Sequence, residues 1–346
     1  MPFELGCQRD ETMYGASVHR FPYWMPIGKQ RLASNSGIPA DFKLFSGKLQ
    51  LPAFLLMFFL MGRKYTRDSD ILHAQWIFSG LVALILAWRY GKPLVVTVHG
   101  SDAALLKKSR IFRRIGRFIL KRATRIIVVS DKLKEEIMSV GIDDKLVTVI
   151  YNGVDRNIFR RTPNTQHAKR ILWVGRMSIE KNLPTLIEAF ASVVKQMPDA
   201  ILTLVGDGDR RKEVEKLIRD LGITAKVRLV GMRSQTEVAE YMRQCDVFTL
   251  PSLSEGFPLT VIEAMSIGRP VVVAAVGALP DLIQQAHNGY LVDPRDAGQL
   301  TATLVNLLAD PNKRQEVGEA AAQSVEQLSW DRIAKKMYQV YQDILN

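Results

Sequence analysis

Short apolar, β-branched runs alternate with stretches of helical periodicity through almost the whole chain. In the first half, SVHRFPY (17–23), DILHAQ (70–75), LVVTV (94–98), RIIVVS (125–130) and VTVIYN (147–152) predict strands. In the second half, RILWVG (170–175), AILTLVG (200–206), KVRLVG (226–231), DVFTLP (246–251) and PVVVAA (270–275) do the same. Between them, LPTLIEAFASVVKQM (183–197) and DRRKEVEKLIRDLG (209–222) repeat apolar positions at helical spacing. Strand, helix, strand in this order predicts parallel sheets covered by helices on both faces.

The polar, turn-rich stretch YNGVDRNIFRRTPNTQHAKR (151–170) separates the two series, and an apolar strand begins directly after it. The expected architecture is α/β, with two Rossmann-like, doubly wound domains over residues 1–155 and 156–327. A final amphipathic helix is expected over 328–346. A chain of 346 residues is long enough for two such domains.

With 47% hydrophobic and 24% charged residues the chain reads as globular rather than disordered. Two cysteines, Cys7 and Cys245, cannot build a disulfide framework, and the expected compartment is a reducing, cytoplasmic one. No Cys/His cluster has metal-site spacing, and the first residues lack the apolar core of a secretory signal. PAFLLMFFLMG (52–62) is far shorter than the roughly 20 residues of a spanning helix. IFSGLVALILAWRY (77–90) sits between two predicted strands and reads as a buried helix.

The net charge of +12 is unevenly placed. KKSRIFRRIGRFILKRATR (107–125) holds nine basic residues and no acidic one. Ile111, Ile115, Phe118 and Ile119 recur there at helical spacing, which predicts one basic amphipathic helix. Its outer face is either simply solvated or attached to an anionic surface. Aromatic residues do not interleave with the bases as a stacking platform requires, so a membrane surface is expected rather than nucleic acid.

Candidate chemistry gathers on the second series. Ligands of open parallel sheets bind beyond the carboxyl ends of the strands. There the loop GRMSIEKN carries Gly175, Arg176 and Lys181, the tight turn GDGD (206–209) follows the next strand, and SEGFPLTVIEAM (254–265) follows DVFTL. Gly256 permits close backbone approach, and Pro258 suits the first turn of a helix whose free N–H groups favour an anion. Arg176 and Lys181 could meet that anion as a diphosphate. Glu263, about one turn inside the helix, suits a ribose diol, which leaves Glu255 for hydroxyls beyond the phosphates. GDGD reads as a turn rather than a metal site.

Glu255 and Glu263, with Gly256, Phe257 and Pro258 between them, resemble the E-x7-E motif of retaining glycosyltransferases of GT-B fold. These are the group 1 enzymes of glycosyltransferase family 4. GRMSIEKN resembles that family's G-R-x-x-x-x-K segment, and NGVD (152–155) its interdomain Asn-Gly-Val-Asp. The resemblance covers roughly residues 68 to 346. It implies transfer of a sugar from a UDP- or GDP-sugar with retention of configuration, without cofactor or essential metal. By the same resemblance Arg176 and Lys181 hold the diphosphate, Glu255 contacts the donor sugar, and Glu263 takes the ribose. The backbone of Gly256, Phe257, Pro258, Leu259 and Thr260 runs along sugar and phosphate, and Gly231 and Met232 flank the base. His99, in TVHGSD (97–102), matches the family histidine that faces the donor sugar from the first domain; His73 and His19 receive no such support.

The pattern breaks at the start. Family members begin with an apolar strand, a Gly-rich loop and a helix, whereas this chain opens on polar MPFELGCQRDETMYG. The opening strands of the first domain are expected to be missing, through truncation or divergence. The functional expectation is a glycosyltransferase peripheral to the cytoplasmic membrane face, with a lipid-linked or envelope glycan as acceptor. The alternatives are transfer to a soluble acceptor such as a sugar phosphate, or donor binding without transfer.

Overall fold

The computed structural model describes residues 7–30, 45–162 and 169–346. Its first segment is a small antiparallel hairpin, β1 (Asp10–Met13) and β2 (Ala16–His19). The two turn residues, Tyr14 and Gly15, both have positive φ, as the tight turn of a twisted hairpin demands. The predicted strand 17–23 therefore ends at His19. Phe21 and Tyr23 instead bury against Phe54 of α1 (Phe45–Thr66) in an apolar cluster of their own.

Four parallel strands follow. These are β3 (Leu72–Gln75), β4 (Leu94–Val98), β5 (Arg125–Val128) and β6 (Val147–Val149), paired in chain order. The crossovers are α2 (Ser79–Tyr90), then α3 (Ser101–Lys108) with α4 (Arg110–Leu120), then α5 (Asp131–Ser139). The basic stretch 107–125 is thus not one helix. Ser109 is extended, and its side chain accepts the Phe112 N–H and caps a new helix, so the chain turns where the charge pattern runs on unbroken.

The second sheet has six parallel strands in the order β12-β11-β10-β7-β8-β9. Along the chain it reads β7 (Arg170–Val174), α6 (Leu183–Gln196), β8 (Ile201–Val205), α7 (Arg211–Asp220), β9 (Val227–Gly231) and α8 (Gln235–Gln244). The return half is β10 (Val247–Leu250), α9 (Leu259–Ile267), β11 (Val271–Ala274), α10 (Leu279–Leu282), β12 (Tyr290–Val292), α11 (Ala297–Ala309) and α12 (Pro311–Ser324). Strands β10 and β11 are buried at every position because helices cover both faces, which is why their sequence is apolar without alternation. The short strand β12 was not expected.

The last helix, α13 (Trp330–Leu345), leaves the second sheet and returns to the first. Ser329 bridges Val154, and Tyr341 reaches His73 of β3. Among the described residues no helix is long and apolar enough to cross a membrane.

Candidate active site

Strand order places the candidate site. In the second sheet the chain starts at β7, builds outward through β8 and β9, then returns to the other side of β7 with β10. The reversal between β7 and β10 opens a crevice at the carboxyl ends of those two strands. Gly175, Arg176 and Lys181 follow β7, and Glu255 to Glu263 follow β10, so the two predicted clusters face each other across that crevice.

Two contacts lace these loops together. The Leu253 N–H donates to the Glu180 carbonyl at 2.8 Å. Asn182, in the left-handed region, donates its side-chain amide to the carbonyls of Pro251 (3.0 Å) and Pro294 (2.6 Å). Between them the Lys181 ammonium donates to Glu255 Oε1 at 2.6 Å. The Glu255 side chain is 8% exposed and the Lys181 side chain 23%, so the pair is largely withdrawn from water. Arg176 is exposed on the same loop.

Helix α9 begins at Leu259 with Pro258 as its N-cap and no side-chain cap; the Val261 N–H turns back to the Pro258 carbonyl, which leaves those of Leu259 and Thr260 to a ligand or water. The side chains of Phe257 and Pro258 are buried, Phe257 against Tyr151, so this segment offers a ligand its backbone; Leu259 is exposed and Thr260 half-buried. Glu263 sits in the second turn. Burial alone pushes its carboxyl up to about 7.

Gly231 ends β9 and Met232 follows it; β9 is separated from β10 by β7 and β8, and Met232 is exposed. The GDGD turn is spent on the protein itself. Asp207 accepts its neighbour Gly208 N–H and pairs with Arg211, while the Asp207 carbonyl accepts from Met177 N–H. Among the described residues no group of His, Cys, Asp and Glu is gathered as metal ligands.

The first sheet supplies the opposite wall. His99 follows β4, and the loops touch backbone to backbone. A Cβ on Gly256 would run into the His99 carbonyl oxygen, and one on Gly100 would stand 2.9 Å from Gly256 Cα. Gly100 also has φ +98°, so both contact positions demand glycine. The buried Asp102 carboxylate holds this loop, accepting the N–H groups of Ile77 (3.0 Å), His99 (3.1 Å) and Ala103 (3.1 Å). Burial raises its pKa against those hydrogen bonds. On the other flank, Gly277 at φ +58° packs on the Glu255 carbonyl.

The sequence reading gave no role to Gly100, Asp102, Asn182 or Gly277. Asp102 carried a local signal, a carboxylate in the first turn of a helix. The glycines and Asn182 act through tertiary contacts that no local spacing reveals.

Comparison with known proteins supplies the family. Residues 154–324 match the family model for glycosyl transferases group 1, and residues 20–158 match that for glycosyltransferase family 4. D-inositol 3-phosphate glycosyltransferase of Corynebacterium kroppenstedtii is 30% identical over 306 residues, covering 80% of this chain and 67% of the relative. N-acetyl-alpha-D-glucosaminyl L-malate synthase of Bacillus anthracis is 28% identical over 291 residues, covering 80% and 76%. In fold, the chain is similar to sucrose-phosphate synthase of Thermosynechococcus elongatus, with TM-score 0.84 and 24% identity over 99% of this chain and 87% of that one. It is also similar to HepE of Anabaena in complex with UDP-glucose, with TM-score 0.75, 23% identity and 82% of each chain covered. Two Rossmann-like units with a crevice between them define a glycosyltransferase of GT-B fold. The chain belongs to the group 1 glycosyltransferases of family 4.

Proposed function

We propose that the chain transfers a sugar from a UDP- or GDP-sugar, with retention of configuration and without a metal, to a lipid-linked or envelope glycan at the cytoplasmic membrane face. The observation that carries the donor side is the meeting of Lys181 and Glu255 at the switch point, beside the glycine that abuts His99. Lys181 and Arg176 take the diphosphate with the N-terminus of α9. They stabilise the negative charge that develops on the leaving group. Glu255 and His99 face the sugar, Glu263 the ribose, and Gly231 with Met232 the base. The residue ranges 1–155, 156–327 and 328–346 remain our division of the chain.

Support for the membrane side is the exposed face of α4. Arg110, Arg114 and Lys121 stand there with exposed Ile111 and Phe118, which is the composition of a helix lying on anionic lipid. A second reading has one observation in its favour. A cavity of about 260 Å³ between the two sheets is lined by Lys107, Ser130, Lys132, Glu136, Glu255 and Gly256, and a soluble phosphate-bearing acceptor would take its two ammonium groups from their present partners, Glu136 and Glu135.

A panel of UDP- and GDP-sugars scored by thermal shift identifies the donor, since a bound donor stabilises the fold by mass action. The anomeric configuration of the product, read by NMR, tests retention. Inversion, or no shift with any donor, would refute the reading.

A further inference from the structure

Strand β3 ends on an unusual backbone. Trp76 has φ 67°, a region that a bulky residue occupies only where the surroundings impose it. Its N–H is held by the Thr97 carbonyl at 2.8 Å, and its exposed ring stands edge-on to His99, with ring centroids 6.1 Å apart. The strained residue follows directly on Gln75, and Gln75 joins two histidines. Its carbonyl Oε1 lies 2.8 Å from His99 Nε2, and its amide Nε2 lies 3.3 Å from His73 Nε2. Behind His73, the Tyr341 hydroxyl of α13 lies 2.6 Å from Nδ1, and Thr97 Oγ1 lies 2.7 Å from Nε2.

With the Gln75 amide oriented oxygen to His99 and nitrogen to His73, these contacts fix the protons on both rings. The Gln75 carbonyl only accepts, so His99 carries its proton on Nε2. The Gln75 amide only donates, so His73 Nε2 accepts from it and from the Thr97 hydroxyl. His73 then carries its proton on Nδ1 and donates it to Tyr341. Both rings are neutral near pH 7. Burial lowers the pKa of each, that of His73 to about 4; Asp102 opposes the shift at His99. His99 Nδ1 has no partner among the described residues and is left as an acceptor.

We propose that Gln75 is a positioning residue that fixes the tautomer and ring orientation of His99, backed by His73 and by Tyr341 from the C-terminal helix. The inference rests on the reading of His99 as the residue facing the donor sugar. A neutral ring with a lone pair on Nδ1 accepts a sugar hydroxyl, whereas a protonated or rotated ring does not. The network also ties α13, which belongs in sequence to the second half of the chain, to the wall of the site built by the first.

The test is ¹⁵N NMR of the full chain labelled at histidine, with His99 assigned by comparison with His99→Gln. Wild type should show His99 neutral at pH 7 with its proton on Nε2. Gln75→Glu places a carboxylate on the same contact and should raise the titration midpoint of His99 by about one unit or more. Tyr341→Phe should shift the His73 nitrogens, and Gln75→Leu should abolish the response of His99 to that change. Gln75 is exposed, so neither of its substitutions threatens the fold. A His99 midpoint unmoved by Gln75→Glu, or a proton on Nδ1, would overturn the proposal. Nucleoside diphosphate release from UDP-glucose and GDP-mannose is followed in parallel. A moved midpoint with unchanged release leaves Gln75 positioning His99 and refutes the donor-facing role of His99 instead.

Discussion

The Lys181 ammonium and the Glu255 carboxylate meet at 2.6 Å, each from a different loop of the switch-point crevice. Their pairing means that the cation assigned to the diphosphate and the carboxylate assigned to the sugar hold each other in place before any donor arrives. Lys181→Ala leaves a buried carboxylate without its partner and should cost roughly 3 kcal/mol of stability, at the low end for a broken buried pair because water still reaches Lys181. Transfer should fall by about two to three powers of ten, the scale of losing one charge-stabilising donor. Denaturant melts and steady-state rates check the two numbers separately. An active, equally stable variant would remove Lys181 from the site.

The ribose contact proposed for Glu263 would link donor binding to pH. Its folded-state pKa, about 7, lies above the ordinary 4.5. Between those values the native state binds a proton that the unfolded state has released, so stability falls as pH rises across the window and levels off above it. Ribose hydroxyls donating to the carboxylate favour its charged form. Donor binding should therefore release a proton near pH 6, and affinity should rise with pH until about 7. Titration calorimetry in two buffers of different ionisation enthalpy measures the proton count. None released by wild type, or the same number released by Glu263→Gln, would count against the ribose contact.

The contact between Gly256 and the His99 loop is backbone against backbone. Gly256→Ala inserts a methyl into the His99 carbonyl and must push the two loops apart. A displacement near 1 Å in a positioned site costs about 100-fold in rate. The expected outcome is a folded protein with transfer reduced to that degree, read by circular dichroism and product formation. Wild-type turnover would show that the sheets need not approach this closely.

On α4 the structure sorts the arginines. All of Arg110, Arg113, Arg114 and Lys121 are exposed, but Arg113 donates to the carbonyls of Leu106 and Lys107 and so caps the end of α3, which leaves Arg110, Arg114 and Lys121 for a surface. Replacing those three by Gln should weaken binding to phosphatidylglycerol vesicles by about 1 kcal/mol each, in a salt-sensitive way. Donor affinity should not change. Sedimentation with vesicles reads the loss, and undiminished binding would mean that the face is merely solvated.

The second sheet was legible in the sequence because strands buried on both faces leave uninterrupted apolar runs such as VVVA, and glycines mark the carboxyl ends of β7, β8 and β9. The residues of the E-x7-E stretch were legible because one loop and one helix carry them all. What escaped was tertiary. The charge of 107–125 runs straight through Ser109, where the chain breaks, and only the capping side chain marks the turn. Phe21 and Tyr23 read as strand because a buried aromatic loop and an edge strand share the same composition. Gln75, Asp102 and Tyr341 each meet a partner from a distant stretch of sequence, His99, Ile77 and His73 in turn, so spacing in the chain says nothing of these contacts.

Calorimetric titration of UDP and of GDP into wild type and Lys181→Ala tests the crevice between β7 and β10 as the donor site. One of the two nucleotides should bind wild type, and the variant should bind it about tenfold more weakly or worse, since Lys181 loses its charge-assisted contact with the diphosphate. Equal affinity in both proteins, or no binding of either nucleotide to wild type, would contradict the assignment.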